Sequence, residues 1–224
     1  MNIKNILLAL GLAAVLAGCG SSDDYTPKPQ AYLRIDLPEH DYWLVDTLPL
    51  SVEGHTMPGI TLPFIFEANE SVELTLKKPR QVYTFKADGS IKPDRISFDE
   101  VWLDINYPQW DGVAFLTYKH LLSADDLRSQ IDESSRLLEK HYQFASGIDE
   151  QTFESDDHTV HAVKWHLKGK NVASTYQFYA TDSVHHYLRG ALFVNHAPNN
   201  DSLAPVLEYM QADIDHLIET LRWR

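Results

Sequence analysis

The sequence predicts an α+β fold, a mainly antiparallel β-sheet packed with two or more helices. Three observations predict it. Short stretches of the second half alternate apolar and polar residues, as half-buried strands do. Two other stretches carry apolar residues at helical spacing behind good capping residues. The strands are joined by short segments rich in turn formers, which suits antiparallel neighbours.

Residues 1–18 stand apart from this pattern. Lys4 supplies a positive charge, and Ile6 to Ala17 then runs without any charge, like the core of a signal peptide. The run is too short to cross a hydrocarbon layer of about 30 Å, which takes about 20 apolar residues. Leu16-Ala17-Gly18-Cys19 closes it in the order of a lipobox: one larger apolar residue, two small ones, then cysteine. The small residues admit the chain to a signal peptidase site, and the Cys19 thiol is the nucleophile that takes up diacylglycerol. Cleavage before Cys19 frees an amino group for a further acyl chain such as palmitate. Cys19 is the sole cysteine of the 224 residues, so no internal disulfide competes for it. Each buried CH₂ of an acyl chain adds about 0.8 kcal/mol to membrane attachment. The rival reading, an ordinary secretory signal, leaves a free thiol in an oxidising compartment. The expected product is a membrane-anchored lipoprotein of the cell envelope, facing the periplasm. Gly20-Ser21-Ser22-Asp23-Asp24 leaves the choice of inner or outer membrane open.

Residues 19–30 read as the lipidated cysteine and an extended tether, with Pro27 and Pro29 disfavouring helix. Residues 31–224 read as a single α+β domain. Tyr32 to Leu37 and Val72 to Leu76 alternate as strands do, while prolines at 38, 49, 58, 63, 79 and 93 are expected to keep elements short. Val101 to Tyr107 and Val113 to Tyr118 read as two strands around a turn at Pro108 to Gly112. A helix is expected from about Ala124 to Tyr142. Ser123 is its cap, Asp126 stands in a capping-box position, and Leu127, Ile131, Ser134, Leu138 and Tyr142 share one face. Strands follow near 159–167, 171–181 and 185–195, the first two joined at Lys168-Gly169-Lys170-Asn171. A last helix runs from about Leu203 to Leu221, with Pro205 in its first turn and a stripe from Val206 through Met210, Ile214 and Leu217.

Composition narrows the function. About 44% of residues are hydrophobic, enough for a folded core, and the net charge is −13. That acidity argues against a nucleic-acid partner, which calls for a basic face. Catalytic signatures are missing: no GxSxG, HExxH, Walker A or GxGxxG string occurs. Eleven histidines invite a metal reading. On strands, however, His161 and His166 point to opposite faces, as do His185 and His186, so neither pair converges. No metal site, cofactor or catalytic residue is therefore assigned. The polar run Glu150 to His158, with Asp156-Asp157-His158 at its end, reads as a solvated loop, and Glu208, Asp213, Asp215 and Glu219 as the polar side of the last helix. Trp102, Tyr107, Trp110, Phe115, Tyr118, Tyr176, Phe178 and Tyr179 divide between core and an exposed aromatic patch. Such patches are common at protein-binding hot spots. Arg189 is a candidate for holding an anionic group.

The order of elements resembles that of PsbP-like domains at the level of fold, with no motif behind it. A more specific resemblance runs through the chain. Cys19 followed by Tyr25-Thr26-Pro27-Lys28-Pro29 and Tyr32-Leu33-Arg34-Ile35-Asp36-Leu37-Pro38 is similar to the start of the gliding motility lipoprotein GldD family. So are Gly169 to Phe178, Thr181-Asp182-Ser183, Leu188-Arg189-Gly190-Ala191-Leu192, Asn199 to Val206 and Asp213 to Trp223. Residues 45–95 fit that pattern less well. The resemblance implies a non-enzymatic component required for gliding motility and associated with the type IX secretion machinery. Its implied partners are other gliding motility lipoproteins and motor or ring components of that machinery. It carries no catalytic residues to transfer. The alternative is an envelope lipoprotein that binds a small ligand or lipid in an apolar cavity. A hydrolase working through carboxylates and histidine is a third reading.

Overall fold

The computed structural model describes residues 36–52, 55–82, 97–195 and 200–224. The signal peptide, Cys19 and the tether over 19–30 lie outside them. In chain order the elements are β1 (Tyr42–Val52), β2 (His55–Asn69), β3 (Glu73–Val82), β4 (Ser97–Tyr107), β5 (Gly112–His120), α1 (Ala124–Glu139), β6 (Gly147–Glu154), β7 (His161–Lys168), β8 (Tyr176–Thr181), β9 (His186–Val194), α2 (Asn200–Thr220) and β10 (Arg222–Trp223). Two antiparallel sheets result, one ordered β3-β4-β5-β9-β8-β7-β6 and a smaller one ordered β1-β2-β10. The architecture is α+β with sheet dominant, as the sequence predicts.

Alternation along each central strand sends one set of side chains to a shared core. Val101, Leu103, Ile105 and Tyr107 of β4 meet Ala114, Leu116 and Tyr118 of β5, Leu188 and Leu192 of β9, and Phe178 of β8. The small sheet and α2 close this inner face. Phe64 of β2 lies 5.6 Å from Tyr118 between ring centres. Asp215 of α2 accepts hydrogen bonds from Lys164 Nζ of β7 and Tyr176 Oη of β8, both at 2.6 Å. Among the described residues the apolar stripe of α2, from Val206 to Ile218, belongs to the same core. Opposite Phe178 in the β8–β9 register stands Gly190, so the ring lies across a residue with no side chain.

α1 packs on the other face. Its cap forms as expected, with Ser123 Oγ accepting from the Asp126 amide at 3.2 Å and Asp126 Oδ2 accepting from the Leu122 amide at 2.9 Å. Ser134 and Leu138 are its buried residues, while Tyr142 lies past its end and is 53% exposed. Tyr187 Oη donates to the Gln130 carbonyl at 3.1 Å, which leaves Ser134 Oγ to donate to Tyr187 at 2.6 Å. Leu138 joins Trp165, Leu167 and Val172 in a second cluster.

Several expectations need correction. Prolines do not keep β1, β2 and β3 short: β2 alone spans 15 residues. The pairing slips between Val45 and Thr47, between Leu48 and Leu50, and between Lys77 and Arg80. These bulges accommodate Pro63, Pro49, Pro58 and Pro79, since a bulged position needs no ladder donor. Glu150 to Glu154, read as loop, belongs to edge strand β6, whose outward acidic side chains suit an edge that must not pair further. Asp36 and Leu37 are not in a strand, and the rest of the strand expected over Tyr32 to Leu37 lies outside the described residues. Finally, α2 starts three residues earlier than expected, which moves Pro205 out of the first turn.

Candidate binding face

The alternation that buries Val101 and Leu103 turns Trp102, Asp104 and Asn106 of β4 to the outer face, beside Phe115 and Thr117 of β5. α1 covers this face over β7, β8 and β9, through Tyr187, Trp165 and Leu167. Over β3, β4 and β5 the face holds the two exposed members of the aromatic set, Trp102 at 48% and Phe115 at 41%. Tyr107, Tyr118, Tyr176 and Phe178 are buried, and Trp110 and Tyr179 are half-buried.

Trp102 is exposed yet held. Its Nε1 donates to Glu100 Oε1 at 2.7 Å, and Lys119 Nζ stands 3.6 Å from the same oxygen. Lys77 pairs with the buried Asp104 carboxylate. Asn106 Nδ2 donates to the Glu73 carbonyl at 3.0 Å and Thr75 Oγ1 at 3.1 Å. Phe115 packs on Phe193 with ring centres 5.6 Å apart, and Phe193 lies 6.5 Å from His141. Fixed aromatic rings lose little freedom on contact, which is what a hot spot requires. Arg189 shares this face, opposite Thr117 on one side and Tyr179 on the other. It is half-buried, and burial draws its pKa below the usual guanidinium range, with Tyr187 and Glu133 opposing.

A second constellation lies where the described chain begins, and the sequence reading missed it. Asp213 is not on the polar side of α2: it is 5% exposed, and Asp215 is half-buried. Asp213 Oδ1 lies 2.8 Å from His40 Nδ1 and accepts from Asn69 Nδ2 at 3.0 Å and Tyr42 Oη at 3.1 Å. His40 stacks on Tyr209 at 4.1 Å, and Tyr42 stacks on His216 at 3.7 Å. His216 Nε2 stands 2.7 Å from Glu67 Oε2. Burial first, and then Asp213, pushes the Tyr42 and Tyr107 phenols up. This cluster fastens residues 36–42 to α2. Spacing held the clue, because Asp213 follows Met210 by three and precedes Leu217 by four, which places it in the apolar stripe.

Alternation separates one histidine pair and not the other, since His185 precedes β9 and both it and His186 reach His120. His161 and His166 take opposite faces of β7, and His158 pairs with Glu154 at 2.6 Å. Asp157 closes a turn instead of pairing with His158: bonds from Ser155 and then Thr159 hold its carboxyl down at about 2. His120, unremarked in the sequence, meets His185 and His186 at ring-centre distances of 5.8 and 6.2 Å. Among the described residues no group of three or more His, Cys, Asp or Glu could hold a metal ion. His186 also stacks on Trp223 at 5.1 Å and contacts Tyr118 Oη at 2.8 Å.

Burial lowers the His186 pKa, and His120 and His185 lower it further, against the pull of Asp182. His141 is lowered by burial, then by Arg189 and Lys140. Folding therefore favours the neutral rings, and the unfolded chain binds more protons below its own value of about 6.5. Stability is present above that pH and falls as pH drops through it. Thermal melts should show a lower Tm at pH 5.5 than at pH 7.5. A His186→Gln variant should flatten the difference, and an equal slope in both proteins would contradict the assignment.

Two open depressions also mark the surface. One of about 610 Å³ runs along the charged side of α1 at Asp125, Arg128 and Asp132. The other, of about 400 Å³, lies between the β7–β8 turn and the start of α2, beside His166, Lys168 and Glu208. Both are open to solvent and include charged side chains in their walls.

Fold and face together define a sheet-dominated α+β domain with an open, aromatic sheet surface. The family model of the gliding motility lipoprotein GldD matches residues 22–223, and the chain belongs to that family. It is thus a gliding motility lipoprotein, membrane-anchored in the cell envelope. No curated protein and no solved structure matches the chain.

Proposed function

We propose that the protein is a non-enzymatic scaffolding component of the gliding apparatus, working with the type IX secretion machinery, and that the open sheet face docks its partner. The observation that carries this reading is Trp102, nearly half exposed yet fixed through Glu100 and Lys119, beside the exposed Phe115. Exposed aromatic rings held in one orientation suit recognition of a protein surface. Lipidation at Cys19 would tether the domain by residues 19–30 and turn it to the periplasm. The partners in this reading are other gliding lipoproteins and the motor or ring components of the secretion machinery.

A Trp102→Ser, Phe115→Ser double variant tests it. Neither side chain is buried, so the change should leave Tm within a few degrees and leave protein levels in the membrane unchanged. Cells carrying it should lose gliding and lose crosslinks to motility components. Normal gliding with the double variant in place would remove this face from the function. A Cys19→Ala protein, tested separately, should leave the membrane fraction or stall in processing.

A further inference from the structure

On the docking face Lys77, Lys119 and Arg189 carry positive charge, and the two lysines are already matched. Lys77 pairs with Asp104 and Lys119 with Glu100. Arg189 is not: among the described residues it has no ion pair, and its bond is Nη2 to Gln177 Oε1 at 3.1 Å. Glu133 on α1 acts on Arg189 through space without bonding it. A half-buried guanidinium offers five donors, and one neutral acceptor leaves most of them unmet. In a chain of net charge −13, an Arg without a carboxylate partner is conspicuous.

The residue that bonds Arg189 is itself incomplete. Gln177 is 2% exposed, and its Nε2 has no hydrogen-bond partner. Buried amides almost always find one. With Oε1 turned to Arg189, the amide holds the guanidinium through a neutral acceptor and leaves its charge unmatched. The register shows what surrounds the pair. Ala191 of β9 stands opposite Phe115 of β5 and Gln177 of β8, with Arg189 and Phe193 two residues away on either side of the same strand. Ala191 and Gln177 are both buried, which leaves the half-buried Arg189 guanidinium and the Phe115 and Phe193 rings as the reachable groups here.

Resting on the reading that this face docks a partner polypeptide, we infer that Arg189 seats the carboxylate of an acidic side chain of that partner. The guanidinium takes the two oxygens side by side. An apolar residue of the partner beside that Asp or Glu meets Phe115 and Phe193. The recognised feature is an acidic residue beside an apolar one, on an otherwise aromatic contact.

The full mature chain in its own membranes tests this with two reporters. Arg189→Lys keeps the charge and supplies an amine that a carbodiimide joins only to a carboxylate in contact. A photoreactive benzoyl-phenylalanine at position 115 reports docking without regard to charge. The expected result is an isopeptide between the amine introduced at position 189 and an Asp or Glu of another polypeptide, found by peptide mapping. The 115 adduct should form on the same polypeptide, and Arg189→Met should lower its yield at least about tenfold. A 115 adduct with the introduced amine unmodified, or joined only to Glu133 of its own chain, would overturn the carboxylate seat and leave the docking face standing. No polypeptide adduct at either position, or transfer of the 115 label to lipid, would overturn both.

Discussion

A Gly190→Ala protein should be destabilised by about 3 kcal/mol, as expected when a methyl group is forced into a filled core. A Cβ at this position would meet Phe178 Cε1 at 2.0 Å and Cζ at 2.6 Å. Phe178 is 1% exposed and sits at the centre of the main core, so its ring has no free volume to enter. Gly190 and Phe178 are direct partners across β9 and β8, and either the strands separate or the ring leaves its place. For a domain of this size each kcal/mol is worth roughly 2–4 °C, so Tm should fall by roughly 6–12 °C. Combining Gly190→Ala with Phe178→Leu should recover part of the loss, because the smaller side chain vacates the contested space. A single variant that melts with the parent protein would show that the ring yields freely.

Asp213→Ala should produce the second largest loss, roughly 2 kcal/mol, because Asn69, Tyr42 and His40 lose one shared acceptor. Asn69 keeps its bond to Tyr209 Oη at 2.8 Å, so its loss is partial, whereas His40 and Tyr42 lose the carboxylate outright. The damage should be local as well as global. The Glu70 amide donates to the Asp41 carbonyl at 2.8 Å, next to the residues the carboxylate holds. Hydrogen exchange at Glu70 should therefore quicken sharply in Asp213→Ala, while amides of α1 on the far face keep their protection. Asp213→Asn retains one oxygen acceptor and should cost less. Unchanged exchange at Glu70 would mean that residues 36–42 are held by stacking alone.

Much of the fold was legible because periodicity and burial agree in its central parts. β4 and β5 alternate cleanly, α2 carries an unbroken stripe, and Ser123 with Asp126 announces α1 in the residues that cap it. Three elements escaped for physical reasons. β1 and β2 place prolines at bulges, where the usual rule against proline in strands does not apply. β6 is an edge whose Asp149, Glu150 and Gln151 face water, so it has little apolar pattern to read. The candidate face was half legible. Trp102 shares its side of β4 with Asp104 and Asn106, which points it outward, but only pairing across strands shows Phe115, Arg189 and Gln177 gathered around Ala191. Asp213 was lost because its charge outweighed its position in the stripe.

The fastening of residues 36–42 has a mechanical meaning. A pull on the chain upstream of Asp36 does not begin by unzipping β1 from β2 at the Tyr42–Asn69 pair. It meets His40 and Tyr42 first, and passes through Asp213 and His216 into the long axis of α2. That helix is spread over the core and tied again to β7 and β8 through Asp215. Strain is thereby shared among several attachments that must fail together, rather than one ladder rung at a time. A membrane-anchored domain gains resistance to rupture from that arrangement without needing a larger core.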